Sequence, residues 1–242
     1  MSRSNPTENG IANPSTRWFE WHGEIGAIRY FDKDAKKNID VALPFSFLLL
    51  DQLGSVRGWH DASESGIYSN EVKDTRQEVM IVKAFKGGVL VEGVYSEIKD
   101  RVNTLGASFH ANCYLAYKDA HGDLQIGCLR LKGAALGAWM EFGKLNRSAL
   151  HDKAIQIHAF KEGKKGRIVF RVPIFKAVDV SAETHQVAVG MDVQLQTFLK
   201  SYLKRTKRDQ VETPTLMPPD DFVVNGDHEL GAPSVADDDI PF

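Results

Sequence analysis

Cysteine is scarce in this chain of 242 residues, and its last 34 residues contain no lysine or arginine. The two cysteines, Cys113 and Cys128, form no C-x-x-C pair and have no histidine at metal-ligand spacing, which excludes a zinc ribbon or a disulfide scaffold. They flank an expected turn at Asp119 to Asp123. That places them opposite each other across a hairpin, within a residue or two of register, as ordinary buried thiols. Long apolar runs are also missing. The longest, residues 39–50, includes Asp40, Pro44 and Ser46 and reads as a strand rather than a membrane span. The polar opening MSRSNPTENGIANPST has no apolar core of a secretory leader, so a cytoplasmic location is expected.

Catalytic signatures are lacking too. There is no G-x-S-x-G, no H-E-x-x-H and no histidine cluster. The stretch from Gly137 to Lys144 resembles a phosphate-binding loop only loosely. It has five residues between its glycines instead of four, and Leu145 stands where a magnesium-binding hydroxyl belongs. Asn146-Arg147-Ser148 matches a glycosylation acceptor, which is meaningless without a secretory route. No enzyme, cofactor or metal is expected.

What the chain does have is an uneven charge. Formal net charge is −2, yet Asp209, Glu212, Asp220, Asp221, Asp227, Glu229, Asp237, Asp238 and Asp239 all lie in the last 34 residues. Without them, residues 1–208 hold 30 basic against 23 acidic residues, about +7. A basic body with an acidic arm is suited to binding a polyanion.

Residues 1–15 are rich in Ser, Asn, Pro and Thr and read as a disordered arm. Residues 16–180 read as the main domain, 181–208 as a C-terminal helix on it, and 209–242 as a disordered acidic tail. Short apolar segments at 17–31, 39–50, 56–60, 77–85, 89–93, 107–117, 124–131, 155–160 and 167–175 read as strands. Ile39, Val41, Leu43, Phe45, Phe47 and Leu49 show the alternation of a half-buried strand. Turns are expected at 32–38, 86–88, 121–123 and 162–166. Helices are expected at 95–105, 133–144 and 182–207. The last has Ser181 as its cap, Val187, Met191, Leu195, Phe198 and Tyr202 at helical spacing, and Lys200, Lys204, Arg205, Lys207 and Arg208 at its C-terminal end. Nine short strands suit a mainly β barrel or sandwich.

The chain ends in Asp237-Asp238-Asp239-Ile240-Pro241-Phe242. Exposed Ile and Phe at a terminus aid neither solubility nor packing; beside three carboxylates they read as a recognition peptide. The DDDIPF ending resembles, letter for letter, the C-terminal tip of bacterial single-stranded DNA-binding proteins. The resemblance is confined to these six residues. It implies recruitment of replication, recombination and repair enzymes through the tip. A phage-encoded binding protein carrying a host's recruitment signal would combine a familiar tip with an unfamiliar body, working in the bacterial cytoplasm.

Single-strand binding asks for aromatics that stack on bases and cations that follow phosphates. Trp59 and Tyr68, in a polar segment with glycines, are better candidates than Phe85. Lys86 and Lys118 stand beside aromatics. The richest segment is residues 160–167, where Lys161, Lys164, Lys165 and Arg167 surround flexible glycines, as in the groove-edge loop of an oligonucleotide-binding barrel. Phe19, Phe45, Phe47, Phe109, Phe170 and Phe175 are assigned to the core, with Trp139 and Phe142 packed against it. The expected architecture is an oligonucleotide-binding-type barrel with extra strands and helices, coating single-stranded DNA without catalysis. The acidic tip could also fold back on the protein's own DNA groove. Two other classes stay open. One is an interaction protein that mimics the tip and binds no DNA. The other is a DNA-processing enzyme.

Overall fold

A computed structural model describes residues 11–209; the C-terminal tip and most of the N-terminal arm lie outside the described residues. The body is mainly β, built on one mixed sheet of eleven strands. The strands are β1 (Arg17–His22), β2 (Ala27–Asp32), β3 (Lys37–Val41), β4 (Phe45–His60), β5 (Ser65–Ser69), β6 (Val79–Ala84), β7 (Gly88–Val94), β8 (Ala107–Lys118), β9 (Leu124–Lys132), β10 (Ala154–Lys165) and β11 (Ile168–Val178). The helices are α1 (Tyr95–Thr104), α2 (Gly133–Leu145), α3 (Ala149–Asp152) and α4 (Ala182–Asp209).

The strand order is β3-β2-β1-β9-β8-β4-β5-β6-β7. Strand β4 is 16 residues long and forks the sheet. Its first residues, Phe45 to Phe47, pair with β10, and its last, Arg57 to His60, pair with β5. The fork leaves the sheet unclosed, where nine short strands had suggested a barrel. The arm formed by β10 and β11 returns to the far side, and the Arg171 N–H donates to the Gly23 carbonyl in the β1–β2 turn at 2.7 Å.

The expected strand at 17–31 is two strands, broken by a turn after His22. The expected strand at 39–50 is likewise divided between β3 and β4, and β5 was not foreseen. The two breaks fall at turn residues, Gly23 to Gly26 in the first and Pro44 in the second, which a reading by alternation alone passes over. The last hairpin is tighter than expected, with β10 running to Lys165 and the reversal at Gly166, which has φ +61°. The three expected helices all form, and the Thr184 N–H donates to Ser181 Oγ at 3.2 Å, the foreseen cap.

The cysteines do not face each other. Cys128 is paired with Tyr114 and Cys113 with Leu129. One residue of offset sends the two thiols to opposite faces, and both are buried.

The inner face of β1, β9, β8 and β4 carries Phe19, Trp21, Leu129, Leu131, Cys113, Leu115, Phe45 and Phe47 in one cluster, sealed by Trp139 and Phe142 of α2 and Phe175 of β11. At the other end, Val56, Ile67, Met80 and Val82 form a second core under Tyr95, Ile98 and Val102 of α1. Gly58 is required where β4 passes β8: an added Cβ would lie 2.4 Å from the Ala107 Cα. Helix α4 lies on the opposite, outer face, where Leu195, Phe198 and Leu199 cover Leu53, Tyr114 and Cys128. Among the described residues, no helix is long and apolar enough to cross a membrane.

Candidate nucleic-acid interface

Strand register determines which side chains share the outer face. Phe19, Leu129, Cys113 and Val56 point inward, so their neighbours Glu20, Arg130, Asn112 and Arg57 point outward. Paired positions then line up across strands. One row runs Asp40, Arg29, Glu20, Arg130, Asn112, Leu53. A second runs Lys132, His110, Ser55. A third runs Ser108, Arg57, Tyr68, Lys83. Trp59 lies beyond, opposite Gly66, to whose carbonyl the Phe85 N–H donates at 3.1 Å.

The third row and the Trp59–Gly66 pair beyond it bring aromatics together. The Tyr68 and Phe85 rings touch, with centroids 4.7 Å apart and planes tilted by 34°. Phe85 is 36% exposed; Tyr68 and Trp59 are half-buried. This face is open because Met80, Val82 and Ala84 take the inward positions of β6, leaving Lys83 and then Phe85 outward. Lys86 stands exposed in the adjoining turn, its N–H donating to Ser65 Oγ at 3.2 Å. Trp59, Tyr68 and Lys86 are therefore assembled at one end of the sheet.

The other expected contacts lie elsewhere. Lys161, Lys164, Lys165 and Arg167 are exposed on the β10–β11 arm. The arm is anchored on the β1–β2 turn, where Trp21 Nε1 donates to the Arg171 carbonyl at 2.8 Å. Its basic tip extends from that anchor, separate from the aromatic group. Lys118 ends β8 at the opposite extremity from Ala107, whose partner is Gly58 beside Trp59. The structure thus separates Lys118 from the aromatics by the length of β8, and tyrosine adjacency in the sequence did not reveal that. Its neighbour Tyr117 is a core residue, 3% exposed.

Between α4 and the aromatics lies a polar layer. Arg130 is 8% exposed. Its guanidinium covers the Trp18 ring at 4.2 Å and its Nη1 donates to Glu20 Oε1 at 3.1 Å. Protein packed around the inner side of Glu20 would raise its carboxyl, but the charges of Arg130, His110 and Arg57 and the Arg130 hydrogen bond hold it at about 2. Glu71 accepts from Tyr114 Oη at 2.8 Å and from Asn112 Nδ2, and its own N–H donates to Tyr202 Oη at 3.0 Å. Burial raises the Glu71 carboxyl against those two side-chain bonds. Burial, reinforced by Lys132, lowers His110 to about 3. Glu71 and Tyr202 together tie the C-terminal part of α4 to the loop after β5.

Sequence reading set Phe85 aside and did not single out Lys83 or Arg130. The signal for the first two was present in the alternation from Met80 to Phe85. For Arg130 no local signal exists, because its neighbours Trp18 and Glu20 come from a strand more than a hundred residues away.

Among the described residues, no group of three or more His, Cys, Asp or Glu side chains could hold a metal ion. Compared with models of known protein families, with curated proteins and with solved structures, the chain matches none of them.

Proposed function

We propose that this protein binds single-stranded DNA without sequence preference on the outer face of its sheet, and recruits replication, recombination or repair enzymes through Asp237 to Phe242. The observation that supports this most directly is the grouping of Trp59, Tyr68 and Phe85 beside Arg57, Lys83 and Lys86 on the solvent side of the sheet. Aromatics stack on any base, because every base has a π-face, and the cations follow the phosphates. A duplex hides its bases and gains nothing from such a platform.

We read the body as an enlarged, open relative of the oligonucleotide-binding architecture. The sheet supplies the platform, and the Lys161–Arg167 arm supplies a second basic element that a strand crossing the β1–β2 turn would meet. At the tip, Phe242 and Pro241 fill an apolar pocket on the partner, while the three aspartates face its basic rim. A phage-encoded protein working in a host cytoplasm fits this division between borrowed tip and private body.

Titration of the full chain with oligo-dT at two salt concentrations tests the reading. Binding at low salt that weakens steeply as salt rises is expected. No binding at low salt overturns it and favours a decoy that only mimics the tip. Magnesium-dependent cleavage of the oligonucleotide would overturn the absence of catalysis. Deleting residues 237–242 is expected to abolish partner binding and leave oligo-dT affinity equal or higher.

A further inference from the structure

Helix α4 covers the sheet with one side and leaves the other open. Leu195, Phe198 and Leu199 are buried against the sheet, whereas Val187, Val189 and Val193 are 46%, 45% and 64% exposed. A β-branched side chain on a solvated helix face is stiff and buries nothing, so a surface helix ordinarily carries polar or charged residues there. Val193 is also the centre of a mirrored spacing. Ala182, Gln186 and Val189 precede it by eleven, seven and four residues, and Thr197, Lys200 and Lys204 follow it by four, seven and eleven. All seven are exposed. At 3.6 residues per turn these intervals keep them on one face. Charge is uneven along that face. Glu183 stands in the first turn, and Lys200 and Lys204 lie toward the other end. The two lysines are one turn apart, a like-charge spacing that weakens a helix. Neither they nor Glu183 make an ion pair among the described residues.

We propose that α4 pairs with α4 of a second copy of this chain, antiparallel, about a twofold axis at Val193. A twofold interface is self-complementary, so it needs a pattern that reads the same from both ends. The axis sets Val193 on Val193, Val189 on Thr197, Gln186 on Lys200 and Ala182 on Lys204. Axial position then decides the charges. With a rise of about 1.5 Å per residue, Glu183 lies about 15 Å from the axis. Lys204 of the second copy lies about 16.5 Å out on the same side, and its Lys200 about 10.5 Å. Each acid thereby meets a basic end, twice over by symmetry, and each helix N-terminus lies beside the other's C-terminus, as the helix dipoles favour. Parallel pairing would instead set Lys200 and Lys204 against their own copies. The face from Ala182 to Lys204 is about 33 Å long, a small contact beside those of permanent dimers, so the pairing is reversible and depends on concentration. It goes beyond single-strand binding and requires no DNA.

Sedimentation velocity of the full chain over a wide concentration series, without DNA, tests the pairing. A shift from monomer to dimer with rising concentration is expected, and monomer throughout overturns it. Val193→Glu places two carboxylates face to face on the axis. It should weaken association about tenfold or more and leave the thermal melt of the dilute protein unchanged, because Val193 is exposed. A dimer indifferent to this change overturns the α4 face. Glu183→Lys and Lys204→Glu should each weaken association about fivefold. Combined, they should restore it, since the pair is then reversed; no restoration overturns the antiparallel register. Val193→Cys should cross-link into a covalent dimer with oxidised glutathione, whereas Val187→Cys, on the flank of the same helix, should not. Cys113 and Cys128 are buried and do not compete. Equal cross-linking of both variants overturns the axis at Val193.

Discussion

On the inner side of β1, β9, β8 and β4, Phe19, Leu129, Cys113 and Leu115 are each at most 1% exposed. One residue further along those strands, the outer side carries Glu20, Arg130, Asn112 and the aromatic group near Trp59. Both faces share one backbone and one hydrogen-bond ladder. The inner one is defined by exclusion of water, so almost any well-packed apolar set serves. The outer one is defined by charges that must be matched singly: Glu20 to Arg130, Glu71 to Asn112 and Tyr114, Arg29 to Asp40 at 2.7 Å. A change inside should therefore alter stability, and a change outside should alter binding.

The strongest way to break that contrast is on the inner face. Phe19 packs edge-on against Tyr117 and Tyr30, with centroids 4.9 and 5.7 Å away. Phe19→Ala should cost about 3–5 kcal/mol in urea unfolding, lost transfer energy plus a cavity. Oligo-dT affinity of the folded protein should be unchanged; a parallel loss would show the faces to be coupled. The matching change outside is Tyr68→Ala. It should weaken oligo-dT binding by about 1–3 kcal/mol and leave the unfolding midpoint nearly where it was. Phe85→Ala in the same background should add less than its separate effect, because the two rings touch.

A smaller effect sharpens the comparison through pH. His110, in the outer polar layer, titrates at about 3 when folded, chiefly through burial and then Lys132. An unfolded histidine titrates near 6.5, so between these values the unfolded state binds more protons. Stability then falls as pH drops from about 6.5. Unfolding at pH 5 should need about 2 kcal/mol less than at pH 7 from this group. Glu20, held at about 2, contributes its own loss only below about 4.5, outside that interval. His110→Gln should flatten the difference in urea melts at the two pH values. An unchanged slope would show that His110 accepts a proton while folded.

Much of the architecture was legible in the residues themselves. Helix α4 announced itself through its cap and its apolar spacing. The β10–β11 hairpin followed from glycines between β-rich segments, and the buried aromatics Phe19, Phe45, Phe47, Trp139 and Phe175 followed from hydrophobicity. These depend on contacts within a few residues, or on the preference of large apolar side chains for the interior. The division of residues 17–31 into β1 and β2 was legible but missed: Gly23 and Gly26, the latter at φ +69°, mark the turn. The isolation of Lys118 was not legible, because it depends on the direction of β8.

The sequence by itself determined that this chain forms a mainly β body ending in a long helix. It also determined that the body is basic and the final residues acidic, with a tip of recognisable composition. Tertiary structure decided that β4 forks the sheet and that the cysteines point apart. It also decided that Tyr68 and Phe85 meet beside Arg57, while the basic arm and Lys118 stand elsewhere. Local order follows from spacing of two or three and a half residues along the chain. Which side chains share a face follows from strand register, and in this sheet that register pairs residues as far apart as Glu20 and Arg130.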